Sequence, residues 1–184
     1  MEISGGMNRE YLKMMEDIYH VSETAGLKSF IWGGFVADIL QGEFTREHGD
    51  LDCFTENLPE NRERLQRQYE GLGYSVSYME EFWLLRIEKD GMHASFNSVR
   101  NMDGIGHWYH IGHGTVFFPY GWLDQKPRLF YGTPVYTIGE KMAYVLKTSA
   151  RLMNPEWKTR EKDYSDIALL ERLLDRNAEE ILEI

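Results

Sequence analysis

The order of apolar and polar positions divides the chain into segments of different period. Across residues 8–25, Tyr11, Met14, Met15, Ile18 and Val21 recur at helical spacing among charged residues, and Gly26 supplies a stop; a surface-packed helix is predicted. Ser29-Phe30-Ile31-Trp32 is a short apolar run broken by Gly33-Gly34, after which Phe35, Val36, Ile39 and Leu40 return to helical spacing as far as Gly42. That order predicts strand, tight turn and helix. The next segment, TREHGDLDCFT, passes from polar residues into period-two alternation, which sends Leu51, Cys53 and Thr55 to one side and Asp50, Asp52 and Phe54 to the other.

Pro59 suits an early position of a further helix whose stripe is Leu65, Tyr69 and Leu72, with Gly71 and Gly73 at its end. Strands are predicted over 74–78, 82–88 and 92–99, the last two joined by an Asp90-Gly91 turn. Between Asn101 and Ile138, glycines and aromatics crowd together in GIGHWYHIGHG, FFPYGW and FYGTPVY. This composition predicts irregular structure with short strands near Val116–Phe118 and Val135-Tyr136. Helical spacing returns at Met142, Tyr144, Val145 and Leu146, and again at Ile167, Leu170, Leu173 and Leu174, with Asn154-Pro155 as a break between them. The expected fold is α/β of the α+β kind: a small mixed sheet flanked by helices. Residues 1–138 would form the α/β domain, and 139–184 a helical C-terminal segment packed on it.

Composition narrows the function classes. The 184 residues carry 30 Asp and Glu against 20 Lys and Arg, a formal charge of -10, which argues against an extensive nucleic-acid interface. The single cysteine, Cys53, excludes an internal disulfide and a cysteine-rich zinc site, as expected of a cytoplasmic protein. No stretch approaches the roughly 20 apolar residues of a membrane-spanning helix, so no membrane partner is expected.

Candidate chemistry begins at Asp50 and Asp52. Two residues apart on a strand, they share a face, and their mutual repulsion calls for a cation such as Mg²⁺, which takes hard oxygen ligands and substrate phosphates. A solvent-facing polar strand edge has the same letters. Gly33 and Gly34 remove side chains where a strand turns into a helix, which lets a phosphate approach backbone N–H groups, or simply makes a tight turn. The spacing is neither that of the phosphate-binding loop G-x-x-x-x-G-K-[ST] nor that of the dinucleotide fingerprint G-x-G-x-x-G.

Residues 31–54, IWGGFVADILQGEFTREHGDLDCF, resemble the start of the polymerase-beta-like nucleotidyltransferase domain, in particular its lincosamide and aminoglycoside nucleotidyltransferase branch. The matching positions are Gly33, Gly34, Asp38, Thr45, Arg46, His48, Asp50 and Asp52. A second likeness, KTREKDYSDIALLE at 158–171, places Arg160, Lys162, Asp163 and Asp166 on an R-x-K-D-x-x-D segment, with Lys147 near an upstream lysine. The resemblance implies attack of an acceptor hydroxyl on the α-phosphorus of a nucleoside triphosphate, ATP being the expected co-substrate, with loss of pyrophosphate. Asp50 and Asp52 would hold Mg²⁺. Gly33 and Gly34, with Arg46, His48, Lys147, Arg160 and Lys162, would face the nucleotide. Asp38 and Asp163 are secondary candidates, as supports or as functional groups. The acceptor would be a small hydroxylated molecule, an antibiotic among the options.

In one respect the sequence departs from that pattern. Members of the fold place a third carboxylate on a neighbouring strand; here GMHASFNSV, residues 91–99, puts Ala94 or Ser95 at that place. Neither is an anionic general base. Glu88 on the adjacent strand, or His93, is the expected substitute, and a degenerate nucleotide-binding or protein-interaction module is the alternative. The series His107, His110 and His113 has neither cysteine nor convergent spacing to make a zinc site. Trp108, Tyr109, Tyr120 and Trp122 are candidates for an acceptor pocket or for core filling.

Overall fold

The computed structural model describes residues 6–102, 105–111, 114–119, 121–123, 126–150 and 156–182, and the side chains of most of these. Among them run α1 (Gly6–Ala25), β1 (Ser29–Trp32), α2 (Phe35–Gln41), β2 (Leu51–Glu56) and α3 (Leu58–Gly71). Then follow β3 (Ser75–Met79), a 3₁₀ turn, β4 (Leu84–Lys89), β5 (Met92–Met102), β6 (Gly106–Ile111) and β7 (Gly114–Pro119). The chain closes with β8 (Arg128–Phe130), β9 (Thr133–Thr137), α4 (Glu140–Thr148) and α5 (Glu161–Leu182).

The sheet is mixed, in the order β3-β4-β5-β2-β1-β9-β8, with β6 on β5 and β7 on β6. β2 is antiparallel to β1 and parallel to β5, so it is flanked on both sides. Alternation along it therefore feeds two cores. Leu51 and Cys53 join Met14, Met15, Ile18, Leu65 and Tyr69 under α1 and α3. Phe54 joins Val99, Tyr109, Met142, Leu146 and Leu170 under α4 and α5. Thr55 falls on the α1 side, where it bonds Ser29 at 2.9 Å, and Ser22 donates to Ser29 at 2.8 Å, a short column that satisfies three buried hydroxyls.

Local expectations hold in most elements. The α1 stripe is buried throughout, and Gly26 stands at φ 65° where α1 ends. Asp90 and Gly91 both have positive φ, the twist-matched conformation of a two-residue hairpin. Two local expectations fail. Leu72 is 42% exposed, because α3 ends at Gly71 and the stripe stops at Tyr69. Phe82 lies in the 3₁₀ turn, 60% exposed, and β4 starts only at Leu84.

The largest correction concerns 101–138. The strands expected near Val116–Phe118 and Val135-Tyr136 are present within β7 and β9, but residues 106–111, read as irregular, form β6, which pairs with β7 from Gly106 with Pro119 to Ile111 with Gly114. Gly106 serves close packing there, since a Cβ would stand 2.3 Å from the Phe118 carbonyl and 2.5 Å from the Phe117 ring. His107 is 1% exposed beside Glu56, and Tyr109 is core, its hydroxyl donating to Asn97 at 3.1 Å. Tyr120, His113 and the Asn154-Pro155 break lie outside the described residues, as does the His110 side chain. No described helix is long and apolar enough to cross a membrane.

Candidate active site

The Gly33-Gly34 turn joins β1 to α2, and β2 runs beside β1 with Asp52 opposite Trp32. Gly33 has φ 74°, and a Cβ on it would lie 2.6 Å from Asp52 Oδ2. A Cβ on Gly34 would lie 2.9 Å from both Arg46 Nη2 and His48 Nδ1. Both positions therefore need glycine for space, and Gly33 for backbone conformation as well. The turn is pressed against the residues that the sequence singled out.

Asp52 is the constrained member of the carboxylate pair. Burial pushes its carboxyl above the usual range, the Ser95 hydroxyl donating at 2.7 Å to Oδ1 opposes this, and neighbouring Asp50 adds to the rise. Asp50 is exposed just before β2. Neither carboxylate makes an ion pair among the described residues. A desolvated carboxylate beside a second, uncompensated one suits a hard divalent cation. Two ligands alone do not close a metal site, and no cluster of three or more metal-ligating side chains occurs among the described residues. A Mg²⁺ ion held by the pair would take its remaining ligands from water and substrate oxygens.

Behind the turn stands a chain of paired charges. His48 stacks on Phe35, ring centroids 3.9 Å apart, and its Nε2 lies 2.7 Å from Asp38 Oδ2. Its Nδ1 lies 2.9 Å from Arg46 Nη1. A guanidinium can only donate, so Nδ1 accepts and Nε2–H donates to Asp38; Arg46 selects the tautomer. Thr45 donates to the other Asp38 oxygen at 2.5 Å. Asp38 thus holds the loop between α2 and β2 in shape from behind.

The C-terminal helices complete the wall. Lys147 in α4 reaches Asp166 at 2.6 Å and Asp163 at 3.7 Å in α5. Arg160 donates to Asp163 through Nε at 2.9 Å, Nη2 at 3.1 Å and its backbone N–H at 2.9 Å, so Asp163 caps α5 and pairs with Arg160 at once. Burial alone would raise the Asp163 carboxyl, but the Arg160 hydrogen bonds and Lys147 outweigh it and hold the group down at about 2. Asp163 thus caps α5 and at the same time lines the cavity.

Between these parts opens a cavity of about 430 Å³, a size ordinary for small-molecule sites. It brings together Gly33, Gly34, Arg46, His48, Asp50, Asp52, Lys147, Arg160, Lys162 and Asp163. Asp38 stands behind it. Glu88 and His93 do not line it; they face each other across β4 and β5, both exposed. The register places Ser95 directly opposite Asp52 and Arg86 opposite Ser95, so Ser95 rather than Ala94 occupies the position next to the pair. By alternation His93 and Glu88 share that face, one residue pair further along.

Two aromatic lining residues escaped the sequence reading. Trp32 stacks on Phe54 at 4.6 Å and 10°, and Trp157 lies against Arg160, whose guanidinium carbon is 4.8 Å from the ring centroid. Trp32 ends an apolar strand and reads as core, and Trp157 belongs to no periodic segment; only proximity to the diglycine could have marked the first. Of the two readings of Tyr109, acceptor pocket or core filling, core filling holds: it is buried under the carboxylates, and burial, and then Asp52, push its hydroxyl up to about 12.

Comparison with known proteins gives a consistent picture. Residues 14–95 match the family model of the aminoglycoside-2''-adenylyltransferases. No curated protein shows significant sequence similarity to the chain. Among solved structures, ANT(2'')-Ia in complex with adenylyl-2''-tobramycin is similar at TM-score 0.68 and 21% identity, over 94% of each chain. The solution structure of the antibiotic-resistance factor ANT(2'')-Ia gives 0.67 and 19%, over 96% of this chain and 97% of that one. The lincosamide antibiotic adenylyltransferase LnuA, lincomycin-bound, gives 0.63 and 15%, over 94% and 99%. The matched family and these neighbours are nucleotidyltransferases, and the fold is theirs.

Proposed function

We propose, for a chain whose residues 14–95 carry an aminoglycoside-2''-adenylyltransferase match on a polymerase-beta-like nucleotidyltransferase fold, that it moves a nucleoside monophosphate from ATP to a hydroxyl of a small acceptor. The observation that carries this reading is the polarity of the cavity. Asp50 and Asp52 offer anionic oxygens at one side, and Arg46, Lys147 and Arg160 offer cationic donors on the wall formed with the C-terminal helices. A triphosphate accompanied by a divalent cation has the complementary polarity.

In this reaction the acceptor oxygen bonds to the α-phosphorus, the bond to the bridging oxygen breaks, pyrophosphate leaves, and the hydroxyl proton passes to a base. Mg²⁺ held by Asp50 and Asp52 would supply charge neutralisation at the triphosphate and at the attacking oxygen. Arg46, Lys147 and Arg160 receive the negative charge that gathers on the departing pyrophosphate. Gly33 and Gly34 keep the backbone clear of Asp52 and of the Arg46–His48 pair, while Lys162 sits exposed at the cavity rim. Glu88 or His93, exposed beyond Ser95 on the same sheet face and outside the cavity lining, would have to reach in to accept the proton.

The acceptor class is a small hydroxylated antibiotic, motivated by the adenylylated tobramycin and the lincomycin of the two similar structures. A nucleotide-binding module without turnover is the second reading, and Ser95 opposite Asp52 is the observation that favours it. Pyrophosphate release from ATP in the presence of aminoglycosides and lincosamides separates the two. The transferase reading expects release that depends on both acceptor and divalent cation. ATP binding with no release across the panel would overturn it.

A further inference from the structure

Behind the cavity wall lies a carboxylate that the proposed reaction does not use. Asp166, in α5, is 4% exposed and lines no part of the cavity. Its Oδ2 lies 2.6 Å from Lys147 Nζ and 3.5 Å from Arg46 Nη2. One oxygen thus holds a cation from α4 and a cation from the loop before β2, and both of those cations line the cavity. Stability does not explain the arrangement, because a buried ion cluster is commonly no more stabilising than a packed apolar replacement. Arg46 Nε is buried with no hydrogen-bond partner among the described residues, a donor left over from the protein's own network.

We infer that Asp166 is a positioning residue that presents Arg46 and Lys147 together to the polyphosphate chain of a nucleoside triphosphate, an inference that rests on the nucleotidyl-transfer reading of the cavity. Both side chains are long and flexible, and tethering them to one buried oxygen removes their freedom before the ligand arrives. The idea has an unusual sign. Neutralising Asp166 makes the cavity more positive, so a residue acting through charge alone would, once neutralised, leave polyphosphate bound more tightly. A positioning residue does the opposite.

Calorimetric titration of the full chain with ATP and with inorganic tripolyphosphate, alongside thermal melting, decides the matter. Asp166→Asn is expected to weaken both ligands about tenfold, and in turnover to raise KM for ATP with little change in kcat. Asp166→Glu, which keeps the charge but moves the oxygen by one methylene, is expected to weaken them as well. Binding by a folded Asp166→Asn variant as tight as the parent's, or tighter, overturns the inference. If Asp166→Asn does not fold, Asp166→Glu decides alone, and parental affinity in that variant overturns it. A parent that binds neither ATP nor tripolyphosphate overturns the nucleotide reading itself, and this inference falls with it.

Discussion

The two flanks of the Asp50–Asp52 pair are built in opposite ways. Toward α4 and α5 the charges behind the cavity are paired: Asp38 with His48, Arg46 with His48 and Asp166, Lys147 with Asp166 and Asp163, and Arg160 with Asp163. Toward β5 and β4 the same sheet face offers one hydroxyl, Ser95, and then the exposed side chains of Arg86, Glu88 and His93. On the proposed reading the first flank receives the triphosphate. The second has no fixed group to take a proton. Binding and proton transfer are separate requirements of the proposed reaction, and the buried polar groups lie on the flank proposed for binding.

Breaking the centre that both flanks share gives the largest effect. Asp50→Asn or Asp52→Asn is expected to lower turnover by about three orders of magnitude. Stability should move differently. Because burial and Asp50 raise the Asp52 carboxyl, the fold favours its neutral form, and ionisation at neutral pH works against folding. Metal-free Asp52→Asn should therefore melt no lower than the parent at pH 7, a result differential scanning calorimetry reads directly.

The open flank is tested next. Glu88→Gln or His93→Gln, whichever removes the working base, should cost about 10² to 10⁴ in kcat and flatten the corresponding limb of the pH profile, while the other leaves both alone. If both variants turn over like the parent, neither side chain is the base. Ser95→Asp sharpens the contrast from the other side. It restores a carboxylate opposite Asp52 and should raise turnover if proton acceptance limits the rate.

The closed flank responds mainly through stability. Asp38→Asn leaves His48 buried against Arg46 with a weakened acceptor behind it, and a loss of about 1 to 3 kcal/mol in urea unfolding is expected. The smallest effect is the pH dependence of Asp163. Its folded value of about 2 lies below its ordinary carboxylate value, so its contribution is complete above about pH 4 and disappears as pH falls toward 2. Asp163→Asn should reduce the parent's loss of stability over that interval; an unchanged acid-unfolding slope would contradict the assigned pairing.

How much of this was legible in the sequence depends on whether the deciding interaction was local. The α1 stripe, the diglycine turn and the Asp90-Gly91 hairpin are set by neighbours in the chain, and period and turn chemistry locate them. The β6–β7 hairpin is not local in that sense. Its glycines read as loop, yet Gly106 is small because the Phe117 ring and the Phe118 backbone need the room. The same division holds at the site. Asp50 and Asp52 announce themselves by spacing, and the family resemblance covers Arg46, His48 and Lys147. Trp32 and Trp157 reach the cavity only through tertiary packing, and Asp166, marked by the resemblance, shows its partners only in the fold, where it meets two cations 120 and 19 positions away in the chain.

On the proposed reading, the carboxylate pair and the cation wall together carry nucleotidyl transfer. Its most direct test is mass spectrometry of a hydroxylated acceptor after incubation with ATP and Mg²⁺, run in parallel with the parent and with the Asp50→Asn, Asp52→Asn double variant. The parent alone is expected to yield an acceptor heavier by one adenylate, with matching pyrophosphate. Equal product from the double variant would contradict it.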